Sequence, residues 1–244
     1  MSDPVSVEND LLARRLEGVR AAIRETERSS GRKEGDVTIL AAVKYATAGQ
    51  IAALARLGLA DFGENRADKL EADLPYVRDL QGARMHFIGS LQTRKARFVV
   101  PNVSLIHSLD SVRLADEIEK VAAAAGIVSR VLVEINSSRE ESKGGVLPED
   151  APDLAKYVLS LPHLSLRGFM TMGGAGLTQD EYYDLFSGVE RLASGIWRTN
   201  RLPGKHYLSM GITDSFRPAV AAGSDCVRIG RALFEDATGG TPGA

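Results

Sequence analysis

The chain has 244 residues, 44% of them apolar and 25% charged, with a formal net charge of −2. That balance describes an ordinary globular protein and excludes a broad electrostatic attraction to nucleic acid or to an anionic membrane surface. The single cysteine, Cys226, excludes an internal disulfide framework and fits a reducing compartment.

The opening stretch MSDPVSVENDLLARR is acidic and polar and lacks the apolar centre of a secretory signal. No apolar run approaches the roughly 18–20 residues of a membrane span. A cytoplasmic protein is therefore expected. Residues 9–29 are predicted as a helix, because Leu12, Leu16, Val19 and Ile23 recur at spacings of three and four. Asn9 or Asp10 is its expected cap, and SSGRKEGD is a turn. A rhythm follows: a short apolar run, a polar turn, a helical pattern. The runs are VTILAAVK, ADFGEN, MHFIGS, SLIHSLD, RVLVEIN, LSLRGFMTM, HYLSMG and CVRIGRALF. Between them, segments such as SVRLADEIEKVAAAAG carry an apolar stripe (Val112, Leu114, Ile118, Val121), this one ending on the helix-stopping Gly126. Parallel strands need such crossovers, and about eight of them close into a (β/α)8 barrel. The expectation is one domain over residues 1–244: a barrel over about 9–235 with an extra N-terminal helix, and a frayed tail, ATGGTPGA. A doubly wound open sheet is the competing arrangement.

In such a barrel, ligands sit where the strands end. Alternation puts Leu40, Ala42 and Lys44 on one face of the first strand, and Ile39, Ala41 and Val43 on the other. Lys44 then points into the barrel mouth. The plain reading is a lysine reaching solvent; the sharper one is a desolvated amine able to form a Schiff base with a carbonyl. Near the seventh and eighth strands, Ser209, Gly211 and Thr213 offer hydroxyls and open backbone. They serve either as an anion site or as ordinary turn chemistry. Arg228 lies inside an apolar run and needs a partner, for which Glu134 is a candidate. Asn65 ends the second run, His86 reads as a packed core histidine, and SSREESKGGV reads as a solvated loop or a flap over the mouth. No cysteine or histidine cluster has metal-ligand spacing, and there is neither a nucleophile elbow nor a P-loop.

The segments LAAVKY, DFGENRADKL, HFIGSLQTRK, VLVEIN, ESKGG, RGFMTM, LSMGITDSF and VRIGRALF occur in an order that resembles the pyridoxal phosphate homeostasis proteins, relatives of the N-terminal barrel of alanine racemase. The resemblance covers nearly residues 9–235. It implies a barrel holding pyridoxal 5′-phosphate (PLP), with Lys44 as the Schiff-base lysine and Ser209 and Thr213 as phosphate ligands, joined by backbone near Gly230. Arg228 is implied beside the pyridine nitrogen and Asn65 beside the cofactor. The sequence departs from the family at Val43, where serine or threonine is common, and at Met85, often tryptophan. An arginine at the pyridine nitrogen can only donate, which weakens the ring as an electron sink. The domain that supplies the second acid–base group in alanine racemase is not expected here. The implied function is therefore storage, buffering or delivery of the cofactor without efficient catalysis, with no catalytic residue assigned and no metal. Apo-enzymes needing PLP are the expected partners, and the protein is expected to be a monomer or weak dimer. An amino-acid racemase is the alternative, and a cofactor-free Schiff-base aldolase a third.

Overall fold

The computed structural model describes residues 4–235. Eight strands form one closed barrel in chain order, every neighbouring pair parallel. They are β1 (Thr38–Ala42), β2 (Asp61–Glu64), β3 (Arg84–Phe87), β4 (Leu105–Leu109), β5 (Ser129–Glu134), β6 (Leu164–Thr171), β7 (Tyr207–Ile212) and β8 (Cys226–Ile229). Each coincides with one of the eight apolar runs, with β3 and β5 starting one residue before theirs and β7 ending one residue after. The barrel excludes the open doubly wound sheet.

Helices α2 (Ala48–Arg56), α3 (Ala67–Arg78), α4 (Thr93–Val99), α5 (Val112–Ala125), α6 (Ala151–Leu159), α7 (Gln179–Thr199), α8 (Phe216–Ala221) and α9 (Arg231–Phe234) follow the strands in turn. Their starts are written locally. Thr47 and Gln50 exchange hydrogen bonds as a capping box on α2, and Thr178 with Glu181 does the same on α7. Gly126 stops α5 with φ +66°, a conformation that costs glycine nothing.

The first helix, α1, spans Pro4–Ser29 and so begins earlier than the pattern predicts. Asn9 and Asp10 lie inside it and do not cap it. Its stripe of Leu12, Leu16, Val19 and Ile23 is buried, and α1 packs against α2, α8 and α9 across the seam where β8 meets β1. Buried Glu27 accepts the backbone N–H groups of Gly35 and Val37, which fixes the turn into β1. The expected frayed tail lies outside the described residues.

Side chains separate into two shells by strand alternation. Ile39, Ala41, Val43, Phe62, Phe87, Val131, Val133, Phe169, Leu208, Val227 and Ile229 face outward and join the helices in one large apolar cluster. Inside the barrel, apolar packing is confined to two small groups, Leu40–Ile88–Cys226 and Leu105–Leu132–Met170. Gly63 makes room for the first: a Cβ there would come within 2.3 Å of Leu40 Cδ2. The rest of the interior is polar.

Candidate functional site

β1 stops at Ala42, so Lys44 lies two residues beyond the strand rather than at its end. Its side chain is exposed, and Nζ stands 4.5 Å from the ring centroid of Tyr45, itself 68% exposed. The sequence expectation of a desolvated amine is therefore not met by the protein alone.

Lys44, Asn65, Thr213, Arg228 and Gly230 come together around one cavity of about 310 Å³ at the C-terminal mouth of the barrel. Glu134, Gly144, Met172 and Arg231 complete its walls. Asn65 follows β2 directly and its N–H donates to Glu64 Oε2. Thr213 follows β7, and its Oγ1 accepts the N–H of Ala232 at 3.3 Å, which ties the β7 loop to the start of α9. Gly230 precedes α9, whose leading N–H groups have no acceptors within the helix. Arg231 is held at this rim by Asp214.

Ser209 is the assigned residue that the structure places elsewhere. It is fully buried on β7, below the cavity, and its hydroxyl is already committed. It accepts from Arg228 Nη1 at 2.6 Å and lies 2.9 Å from His107 Nδ1. Alternation explains this: Tyr207 and Ser209 both point into the barrel, but Ser209 does so one layer too low to reach the mouth.

Arg228, 2% exposed, has no carboxylate within ion-pair distance among the described residues. The expected pair with Glu134 is not formed. Instead Nη1 also donates to the Ser209 carbonyl at 2.7 Å, and Nη2 donates to the Thr171 carbonyl at 2.8 Å and to Met172 Sδ. Four neutral acceptors thus replace one anion. Glu134 is left without a close cation. Burial pushes its carboxyl up to about 7, opposed by the charge of Arg228.

Below Ser209 runs a chain of hydrogen bonds that sequence reasoning missed. His107 Nε2 meets His86 Nδ1 at 3.0 Å, and His86 Nε2 meets Asp61 Oδ1 at 2.9 Å. Guanidinium can only donate and an ionised carboxylate can only accept. The chain therefore runs from a fixed donor, Arg228, to a fixed acceptor, Asp61, with Ser209, His107 and His86 able to serve in either role between them. Burial, with the charges of His86 and Arg228, holds His107 well below the usual imidazole range. Arg84 and His86 overcome the burial of Asp61 and hold it down to about 2. His86 is indeed a core histidine, though one that is part of this chain. His107 was detectable from the inward phase of LIHSL, but no motif marks it.

The SSREESKGGV loop does not hang free as a flap. Asn136 Nδ2 donates to the carbonyl of Glu140 at 2.9 Å, and the backbones of Glu134, Asn136 and Val146 pair. The loop is pinned to the end of β5 with Gly144 against the Glu134 carboxylate.

The profile of the family described as "Alanine racemase, N-terminal domain" matches residues 16–238. A pyridoxal phosphate homeostasis protein of Aquifex aeolicus is 36% identical over 220 residues, covering 90% of this chain and 96% of that protein. The chain belongs to the pyridoxal phosphate homeostasis protein family. The Escherichia coli K12 protein of that name is 34% identical over 93% of this chain and 96% of its own. Among solved structures, PipY of Synechococcus elongatus with PLP bound superposes with a TM-score of 0.79 at 28% identity, covering 91% of this chain and 99% of that one. An unknown protein from Bifidobacterium adolescentis gives 0.86 at 31% identity, covering 96% and 98%. Alanine racemase of Clostridium difficile shares the fold at 16% identity, with a TM-score of 0.71 over 96% of this chain and 58% of that one. Among the described residues no helix is long and apolar enough to cross a membrane, and no three metal-ligating side chains cluster.

Proposed function

We propose that this protein binds PLP in the upper cavity and stores, buffers or delivers it, holding it by a Schiff-base linkage to Lys44 without efficient catalysis. The observation that carries the reading is one cavity that gathers an amine, a donor-only guanidinium and an anion-binding rim. Its volume suits a compact cofactor. Thr213, the leading N–H groups of α9 and Arg231 form a rim fitted to a phosphate dianion. Arg228 supplies a fixed donor deep in the cavity for the pyridine nitrogen, and Asn65 lines the wall. Ser209 positions Arg228 and leaves the phosphate to Thr213 and Gly230.

When bound, the cofactor brings an aldehyde as electrophile and a ring that can accept electrons. The chain's own groups limit the second use. Arg228 is held by four acceptors and cannot protonate the ring nitrogen as a carboxylic acid would. The titratable residues lining the cavity are Lys44, Glu134, Arg228 and Arg231. Glu134 is buried, and among the described residues no histidine or tyrosine lines this cavity, Tyr45 standing beside Lys44 outside it. The PLP bound to PipY and the naming of the relatives support the cofactor; the naming supports a homeostatic role. Apo-enzymes that require PLP are the proposed recipients, and a cytoplasmic location is proposed with them.

The test reduces PLP-treated protein with borohydride and maps the modified residue by mass. Lys44 carries the adduct, and Lys44→Ala loses it while unfolding like the wild type, since an exposed substitution changes stability by only about 0.5 kcal/mol. In parallel, the loaded protein restores activity to a PLP-requiring apo-enzyme, while single enantiomers of amino acids keep their chirality. An adduct on another lysine would refute the linkage. Enzyme-level racemisation lost in Lys44→Ala would overturn the carrier role.

A further inference from the structure

The opposite, N-terminal mouth of the barrel ordinarily serves stability, and here it opens into a cavity of about 280 Å³. Three arginines border it: Arg84 from the start of β3, Arg130 from the second position of β5, and Arg167 from β6. Arg167 is brought there by an irregularity in the β5–β6 register beside Gly168, where a Cβ would lie 2.0 Å from the Tyr207 carbonyl. Like charges around one opening repel, and an anion bound between them relieves that repulsion.

The protein itself supplies only one. Asp61 takes Arg84 in a two-pronged pair, Nε to Oδ1 and Nη2 to Oδ2, both at 2.7 Å. Oδ1 also receives His86, so both carboxylate oxygens are occupied. Arg130 and Arg167 make no hydrogen bond or ion pair among the described residues, and both are exposed. Carboxylates in the adjoining hollows are engaged as well. Glu27 holds the turn before β1, and Asp225 pairs with Lys205 and Arg32. Three guanidiniums and one carboxylate leave a formal surplus of two positive charges at this mouth.

We propose that the N-terminal mouth is a second ligand site, separate from the cofactor cavity, which binds a small dianion, either a phosphate or a dicarboxylate. The guanidinium fork matches the paired oxygens of both groups. Arg130 and Arg167 grip the ligand, Arg84 is shared with Asp61, and the hydroxyl of Ser104 stands at the wall. The dianion cancels the surplus charge. A monoanion leaves half of it.

The experiment is calorimetric titration of PLP-saturated protein, whose upper rim is filled, with inorganic phosphate and separately with succinate at low ionic strength. One-to-one binding of at least one anion is expected, and which one binds identifies the ligand chemistry. The double variant Arg130→Ala, Arg167→Ala is expected to bind at least tenfold more weakly. It should keep its fold by circular dichroism, because both side chains are exposed and unpaired. Arg130→Lys, Arg167→Lys keeps the charge, loses the fork and should fall between. Absence of heat from both anions at millimolar concentration, or wild-type affinity in the alanine double variant, overturns the site.

Discussion

Replacing Ser209 with alanine removes one oxygen from the middle of the interior chain and separates two accounts of that residue. Arg228 Nη1 keeps the Ser209 carbonyl at 2.7 Å but loses the hydroxyl at 2.6 Å. A hydrogen bond from a charged donor is worth about 1.5–3 kcal/mol. His107 Nδ1, fully buried, loses its hydroxyl partner 2.9 Å away. A buried polar atom left without a partner costs about 1–3 kcal/mol. The two losses give about 2.5–6 kcal/mol, which lowers the melting temperature of a domain this size by on the order of 10 °C. Thermal unfolding of the cofactor-free variant by circular dichroism, alongside a PLP titration near room temperature, reads both consequences. A large drop in melting temperature with a small change in affinity is expected. A melting temperature near wild type combined with affinity lowered tenfold or more would put the hydroxyl on the ligand and refute the positioning role.

Thr213→Ala should show the reverse pattern: affinity for PLP weaker by about 1.5–3 kcal/mol, little change in melting temperature, and no change in the weak binding of phosphate-free pyridoxal. An equal loss for both ligands would contradict a phosphate contact. Glu134 has its folded-state value raised from 4.5 to about 7, so the folded protein holds a proton that the unfolded chain releases between those values. Stability from this group is thus fully present below about pH 4.5 and declines as pH rises to 7, by up to about 3 kcal/mol. Asp61 acts with the opposite sign in another window: its depression from 3.8 to about 2 is lost only as pH falls through that range. Urea unfolding of cofactor-free protein from pH 5 to 8 should therefore show a shallower decline in Glu134→Gln, and parallel declines would exclude the assignment. Gly89→Ala places a Cβ 2.2 Å from the Asn65 carbonyl oxygen. It should destabilise by about 1–3 kcal/mol and lower PLP affinity by displacing the cavity wall; unchanged melting would show that the wall yields freely.

The strands were readable because outward positions such as Ile39, Ala41 and Val43 alternate with inward ones, and apolar residues fill the outer set. The barrel followed from eight such runs with helices between them. Lys44, Asn65, Thr213, Arg228 and Gly230 stand out in the sequence because they lie near strand ends and match family segments, and the structure brings all five to one cavity. Ser209 lies in the same family segment as Thr213 but sits below the cavity, because a motif records order along the chain and not depth along the barrel axis. The start of α1 was missed because its first turns lack the apolar stripe that marks residues 12–23. His107 and Asp61 were overlooked because they come from different strands, 46 positions apart in the chain, and are linked only through His86. Arg130 and Arg167 are also unremarkable in sequence, since single exposed arginines on strands carry no motif, and their convergence depends on barrel closure.

The separation into an outer apolar shell and a polar lumen bears on how this scaffold can change. Helix-to-strand packing holds most of the buried apolar side chains, and the lumen holds only two small apolar groups. Substitutions facing the lumen therefore forfeit little of the burial that drives collapse, provided their polar neighbours keep partners. Complementary swaps inside the tube, such as exchanging a linked donor and acceptor together, should survive where single changes fail. A library built on paired lumen positions would explore new chemistry on an intact exterior.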